Sequence, residues 1–208
     1  GKQIEKIARE LDWSYLFSGK PLLNNVNIDE KNEFDNYAVE VPVEKMKLKI
    51  GTGLIEGQEI WLKFQELFLP VYNIKDFSEF SIPFKCIATD VGSGKAVVLE
   101  SGEIVTALRS SMAIPSVFTA IDYKDTKLVD GGVVRNFPVK DVIDMGANYT
   151  IGVNLSQGLL TADKLNSVID ILYQIGFYKD ADDFQLERGL CNILIEPPLE
   201  DYSAASFG

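Results

Sequence analysis

The run Thr126-Lys127-Leu128-Val129-Asp130-Gly131-Gly132-Val133-Val134-Arg135-Asn136 constrains the chain most. A short apolar segment, Leu128-Val129, delivers a carboxylate where the backbone breaks on two glycines. Phe137 and Pro138 then open a helix-like stretch. A strand that ends on Asp and turns on Gly-Gly places that Asp at the carboxyl edge of a sheet, where open α/β folds hold their chemistry. Alone, such an Asp is also an ordinary turn residue that caps its own backbone. The rest of the chain must separate the two readings.

The pattern on either side alternates between helix and strand. Ile4, Ile7, Ala8 and Leu11 recur at helical spacing, and Trp13 to Phe17 extend that apolar surface. The stretch Leu23 to Tyr37 is polar and reads as a structured excursion, because strand-like Ala38 to Val43 comes directly after it. Gln58 to Leu69 reads as a helix with Ile60, Leu62, Phe64, Leu67 and Phe68 on one broad face, stopped by Pro70. Phe84 to Asp90, the glycine turn Gly92-Ser93-Gly94 and Ala96 to Leu99 carry a hairpin signature. Helix-like Glu103 to Ala113 ends at Ile114-Pro115, and Pro138 to Met145 makes a short helix closed by Gly146. Tyr149 to Asn154 reads as a buried strand, Leu165 to Tyr178 as a longer helix, and Cys191 to Glu196 as a last strand. Strands separated by helices imply one α/β domain with a mainly parallel sheet flanked by helices and one β-hairpin.

At 208 residues and 46% hydrophobic, the chain can bury a real core. No run approaches the length of a membrane-spanning helix. A net charge of −11 argues against nucleic acid and against simple electrostatic docking on anionic lipid. Cys86 and Cys191 give no disulfide framework and read as small core residues. The chain holds no histidine, so neither a Ser-His-Asp triad nor a histidine metal site can be built from it. Gly-Ser-Gly-Lys at positions 92–95 fails as a phosphate loop: Thr89 stands where its first glycine belongs, and Ala96 where Ser or Thr should come after the Lys. A nucleotide-binding domain is therefore disfavoured.

Three stretches, in order, resemble the patatin-like phospholipase family: Phe84-Lys85-Cys86-Ile87-Ala88-Thr89-Asp90 with its glycine turn, Ala107-Leu108-Arg109-Ser110-Ser111-Met112-Ala113-Ile114-Pro115-Ser116-Val117-Phe118, and Leu128-Val129-Asp130-Gly131-Gly132-Val133. Ser110 departs from the family's usual Ala. Ile195-Glu196-Pro197 through Asp201-Tyr202-Ser203 to Phe207 is similar to the family's final strand and the segment after it. The resemblance implies a three-layer patatin-like fold and a lipid acyl hydrolase using a Ser-Asp dyad, with no cofactor or metal. It makes Asp130 the proton acceptor, with Gly131 and Gly132 completing its motif, and a phospholipid or other acyl-ester lipid the substrate, with possible membrane association. The family's Gly-x-Ser-x-Gly elbow and glycine-rich oxyanion loop are not in these 208 residues. Both are expected upstream of Gly1, making residues 1–208 the C-terminal portion of one domain, inactive by itself. Arg109 reads either as a lipid-phosphate contact or, more ordinarily, as a surface or capping residue. Asp90 reads as a turn residue. The alternative from another class is a non-catalytic scaffold domain of a cell-envelope protein. The family match suggests a bacterial source. It implies the periplasm or outer membrane if the parent is a long secreted form with a barrel, and the cytoplasm otherwise.

Overall fold

The computed structural model describes residues 1–17, 43–44, 47–48, 53–155 and 178–199, together with 159, 161, 162, 171 and 174. The expectations for Leu23 to Tyr37, for most of Ala38 to Val43, for most of the helix from Leu165 to Tyr178 and for the tail from Asp201 lie outside these residues.

The centre is a four-stranded sheet. Strand β4 (Cys86–Asp90) turns on Gly92 to Gly94 into β5 (Lys95–Leu99), with Cys86 opposite Leu99 and Asp90 opposite Lys95. On its other edge β4 pairs with β8 (Thr126–Asp130), which in turn pairs with β7 (Ile121–Tyr123). The order is β5-β4-β8-β7 and every pairing is antiparallel. The mainly parallel sheet expected from the sequence is therefore corrected for these strands, although the mixed helix-and-sheet class holds. Two tight hairpins force the antiparallel direction within each of their strand pairs, because a short reversal cannot return a strand parallel to its neighbour. Parallel pairing survives in two smaller pairs. Strand β3 (Gly53–Ile55) runs beside β6 (Ser116–Phe118), and β9 (Ile151–Val153) beside β10 (Ile193–Ile195). A further hairpin joins β1 (Val43–Glu44) to β2 (Lys47–Leu48).

Helix α4 (Ile104–Ser111) lies across β4 and β8. Its buried Ile104, Val105 and Ala107 form one core with Phe77, Ala88, Leu99 and Leu128. Phe77 and Leu128 are fully buried, and each is worth roughly 1.5–3 kcal/mol relative to exposure. Phe80 stacks on Phe77 at 5.3 Å between centroids and closes one side. Helix α3 (Gln58–Phe68) buries Ile60 in a second core with Leu16, Ala113 and Phe118, and leaves Leu62 half exposed, outside the apolar face expected for it.

The amphipathic helix expected at the start forms as α1 (Lys2–Glu10) and leads to α2 (Trp13–Leu16), but α1 buries none of its residues. The strand expected to be buried at 149–154 is buried on one face only. Ile151 and Val153 face outward, while Gly152 packs inward with Phe137 and Cys191. Helices α5 (Val139–Asp144) and α6 (Tyr178–Arg188) are in contact beyond the sheet.

Candidate active site around Asp130

Asp130 ends β8, and the three stretches singled out in the sequence meet on its backbone. Its N–H donates to the Ala113 carbonyl at 2.9 Å, tying the strand end to the segment after α4. Its carbonyl accepts the Thr89 hydroxyl at 2.8 Å, from the strand opposite. The side chain accepts the Gly132 N–H at Oδ1, 2.7 Å away, and this opens a 3-10 turn over Gly131–Val133. Val134 and Arg135 then both donate to the Gly131 carbonyl, at 3.0 and 2.8 Å, so the chain leaves the site tightly wound.

Gly131 is required by space. A Cβ at that position would sit 2.3 Å from the Ile87 carbonyl oxygen and 2.6 Å from its carbon, both backbone atoms. A Cβ on Gly132 would lie 3.0 Å from Asn136 Oδ1 and 3.1 Å from Asp130 Oδ1, so this residue passes close between two polar side chains. At Gly131 the missing side chain lets backbone approach backbone.

Beside this turn lies an open cavity of about 390 Å³. Asp130, Gly131, Gly132 and Asn136 line one part, Lys85, Cys86 and Ser111 another, and Arg135 with Asp141 a third. The volume falls within the range of small-molecule pockets. Neither Cys86 nor Ser111 presents an activated nucleophile there. Burial pushes the Cys86 thiol up to about 11, only partly opposed by a hydrogen bond with Ser111, so at neutral pH it is a neutral thiol. Ser111 ends a helix with no elbow around it. Ser110 is fully buried and donates to the Thr106 carbonyl at 2.8 Å. Among the described residues no cluster of three His, Cys, Asp or Glu could hold a metal.

Two other candidates resolve differently. Asp90 is a turn residue, as its place in the hairpin suggested. Its carboxylate accepts Thr126 Oγ1 at 2.5 Å, Ser93 Oγ at 2.7 Å and the Gly92 N–H at 2.8 Å, and these bonds hold its pKa below the usual value. Arg109 is neither a surface nor a capping residue. It is fully buried, donates from Nη2 to the Glu56 carbonyl at 3.0 Å and lies 5.1 Å from the Phe118 ring centroid. Nothing in the local spacing distinguished it, since an Arg in the last turn of a helix is the ordinary dipole-complementing choice. The contributions of Lys85 and Arg135 to the cavity were likewise not legible. Lys85 lies within the Phe84 to Asp90 stretch and Arg135 within the run around Asp-Gly-Gly, each at a position where a charged residue usually faces water.

The described residues form a mixed helix-and-sheet structure with an Asp-Gly-Gly turn at a strand end, beside an open cavity. The family model described as patatin-like phospholipase matches residues 8–143, more than half of the chain, and the chain belongs to that family. Among its relatives, an uncharacterized NTE family protein of Mycobacterium tuberculosis is 29% identical over 106 residues, covering 51% of this chain and 28% of the relative. Lysophospholipase NTE1 of Debaryomyces hansenii is 22% identical over 181 residues, and that of Lodderomyces elongisporus 27% over 182. These alignments cover 75% and 76% of this chain but 12% of each yeast protein, so the chain spans only a small part of the relatives it matches.

Proposed function

We propose that this chain is the base-carrying part of a serine lipid acyl hydrolase, with Asp130 as proton acceptor and the nucleophilic Ser supplied from outside the 208 residues. The observation that carries the reading is the convergence of three family motifs on the backbone of Asp130 at the wall of a cavity. The lysophospholipase name of the yeast relatives supports an acyl-ester lipid as substrate.

In this mechanism the Ser Oγ attacks the ester carbonyl carbon while its proton passes to Asp130. Backbone N–H groups of the oxyanion loop hold the developing negative charge. The tetrahedral intermediate expels the alkoxide, which takes the proton from Asp130 and leaves as the alcohol. Water then gives a proton to Asp130 and attacks the acyl-Ser, and that proton returns to Oγ as the fatty acid departs. One carboxylate can serve both halves, which fits a chain with no histidine.

The test is hydrolysis of a p-nitrophenyl acyl ester and of a lysophospholipid by the longer protein that contains a Gly-x-Ser-x-Gly segment. Asp130→Asn keeps the acceptor for the Gly132 N–H and should lower kcat by about 10²–10⁴-fold, the usual contribution of a positioned base. Equal rates would remove Asp130 from the chemistry. A parent lacking the elbow Ser altogether would leave the scaffold reading in its place.

A further inference from the structure

The Asp130 cavity is electrically unlike the rest of the molecule. The chain carries a net charge of −11, yet the cavity lining pairs two cations, Lys85 and Arg135, with two carboxylates, Asp130 and Asp141. Both cations are partly withdrawn from water, with side chains 28% and 35% exposed. Each is held by a carboxylate that leaves donors over. Lys85 Nζ lies 2.5 Å from Glu100 Oε2. Arg135 uses one nitrogen, Nη1, to reach both oxygens of Asp141 at 3.1 and 3.0 Å, and among the described residues its Nε and Nη2 make no hydrogen bond. The two pairs belong to one cluster. The hydrogen bond to Glu100 is the main cause that raises the Lys85 pKa, and the fields of Asp141 and Asp144 add to it, so the carboxylate that grips Arg135 also acts on Lys85.

We propose that Lys85 and Arg135 form a phosphate-binding subsite of this cavity, which takes the headgroup phosphate of a phospholipid whose acyl ester lies at Asp130. The proposal rests on the hydrolase reading and names the part of the substrate that these two residues select. A planar guanidinium with two spare donor nitrogens and a compact ammonium are the pair of groups that phosphate recognition uses. The volume, about 390 Å³, suits a glycerophosphate portion. Phe84, Val142 and Met145, in the same lining, offer apolar surface to the first carbons of an acyl chain.

The rival explanation is that both ion pairs are structural staples, joining β4 to the end of β5 and the Asp130 turn to α5. The partners of the cations separate the two. Binding of dihexanoylphosphatidylcholine, below its micelle concentration, is measured by calorimetry on the longer protein, with dihexanoylglycerol as the phosphate-free control. Lys85→Gln and Arg135→Gln should each weaken the phospholipid about tenfold, as expected for loss of one charge-assisted bond, and leave the neutral lipid unchanged. Glu100→Gln and Asp141→Asn break the same ion pairs but keep the cations, so they should bind the phospholipid as tightly or more tightly. Weakening by the partner variants equal to that of the cation variants would overturn the proposal, as would equal losses for both lipids. Inorganic phosphate binding in a Lys85- and Arg135-dependent way while the phospholipid fails to bind would also overturn it, in favour of a free-phosphate site. Asp130→Asn should retain phospholipid binding, so failure of the base assignment shows in turnover alone.

Discussion

At the scale of single residues, and among the described ones, Arg109 sits in an environment far from its chemistry, a guanidinium fully buried with two nitrogens unpaired. A guanidinium removed from water keeps its charge at a cost, and burial lowers the Arg109 pKa from its usual value. Among the described residues, only the Glu56 carbonyl and the Phe118 ring offset that cost, since Nε and Nη1 have no hydrogen-bond partner there. What the side chain does supply is volume, and it lies against the left-handed Gly57 (φ 73°), which caps α3. A Cβ on Gly57 would come within 2.4 Å of Arg109 Nη2. Arg109→Met should therefore keep stability within about 1 kcal/mol of the parent, because an unbranched apolar chain fills the space without burying a charge. Arg109→Ala should cost about 3 kcal/mol, the usual penalty for an unfilled cavity. Gly57→Ala should cost roughly 2 kcal/mol for the left-handed backbone and the crowding together. Part of that loss should return in the double variant with Arg109→Met, because the residues touch and their effects are not additive. Urea denaturation of the four proteins checks the set; a Met variant as unstable as the Ala variant would contradict it.

At the scale of elements, the two hairpins of the central sheet show what the sequence could and could not reveal. The turn between β4 and β5 was legible because Asp90, Gly92, Ser93 and Gly94 are the residues such a turn uses, and Gly94 takes a positive φ of 66°. The turn between β7 and β8 gave no such signal. It is made by Lys124 and Asp125, and Lys124 adopts φ 51° although nothing in its type favours that region. With β7 unseen, β8 looked like the next strand of a parallel sheet, and its true direction could not be inferred. Asp130 was legible because a strand ending on Asp-Gly-Gly needs no tertiary information. The cavity beside it was not, because Lys85 and Arg135 are brought there by pairing across more than forty residues of chain. The Asp90 turn also carries a pH dependence. Three donors lower the Asp90 pKa from its ordinary value of 3.8, the Thr126 hydroxyl being the largest cause. The clamp is thus complete above pH 3.8 and is lost only as the pH falls through the lower, folded-state value. The Gly92 amide resonance should titrate with a midpoint below 3.8, and Thr126→Val should move that midpoint upward. A Gly92 midpoint at or above the ordinary carboxylate value would show that the clamp does not operate in solution.

At the scale of the whole molecule, the contrast between an acidic exterior and a charge-balanced cavity decides how a lipid could be approached. With a sequence pI near 4.5, the chain is anionic at neutral pH and is repelled by a membrane surface at about −30 mV. Among the described residues no helix is long and apolar enough to cross a bilayer. Apolar side chains that already face water offer a surface for lipid contact, such as Ile82, 82% exposed and two residues before Phe84 of the cavity lining. Apolar contact strengthens with neither surface charge nor low salt, whereas repulsion is screened over about 10 Å at 0.1 M ionic strength. The two contributions therefore predict opposite salt responses from those of a basic lipid-binding protein. In co-sedimentation, the chain should be recovered on phosphatidylcholine vesicles to an extent that salt does not reduce. On vesicles rich in phosphatidylserine, recovery should be lowest at low salt and rise as salt is added. Replacing Ile82 by Asp should lower recovery on both compositions, because it removes exposed apolar surface and adds a like charge at one position. Recovery on anionic vesicles that falls with added salt would mean that a basic patch, and not apolar contact, governs the approach.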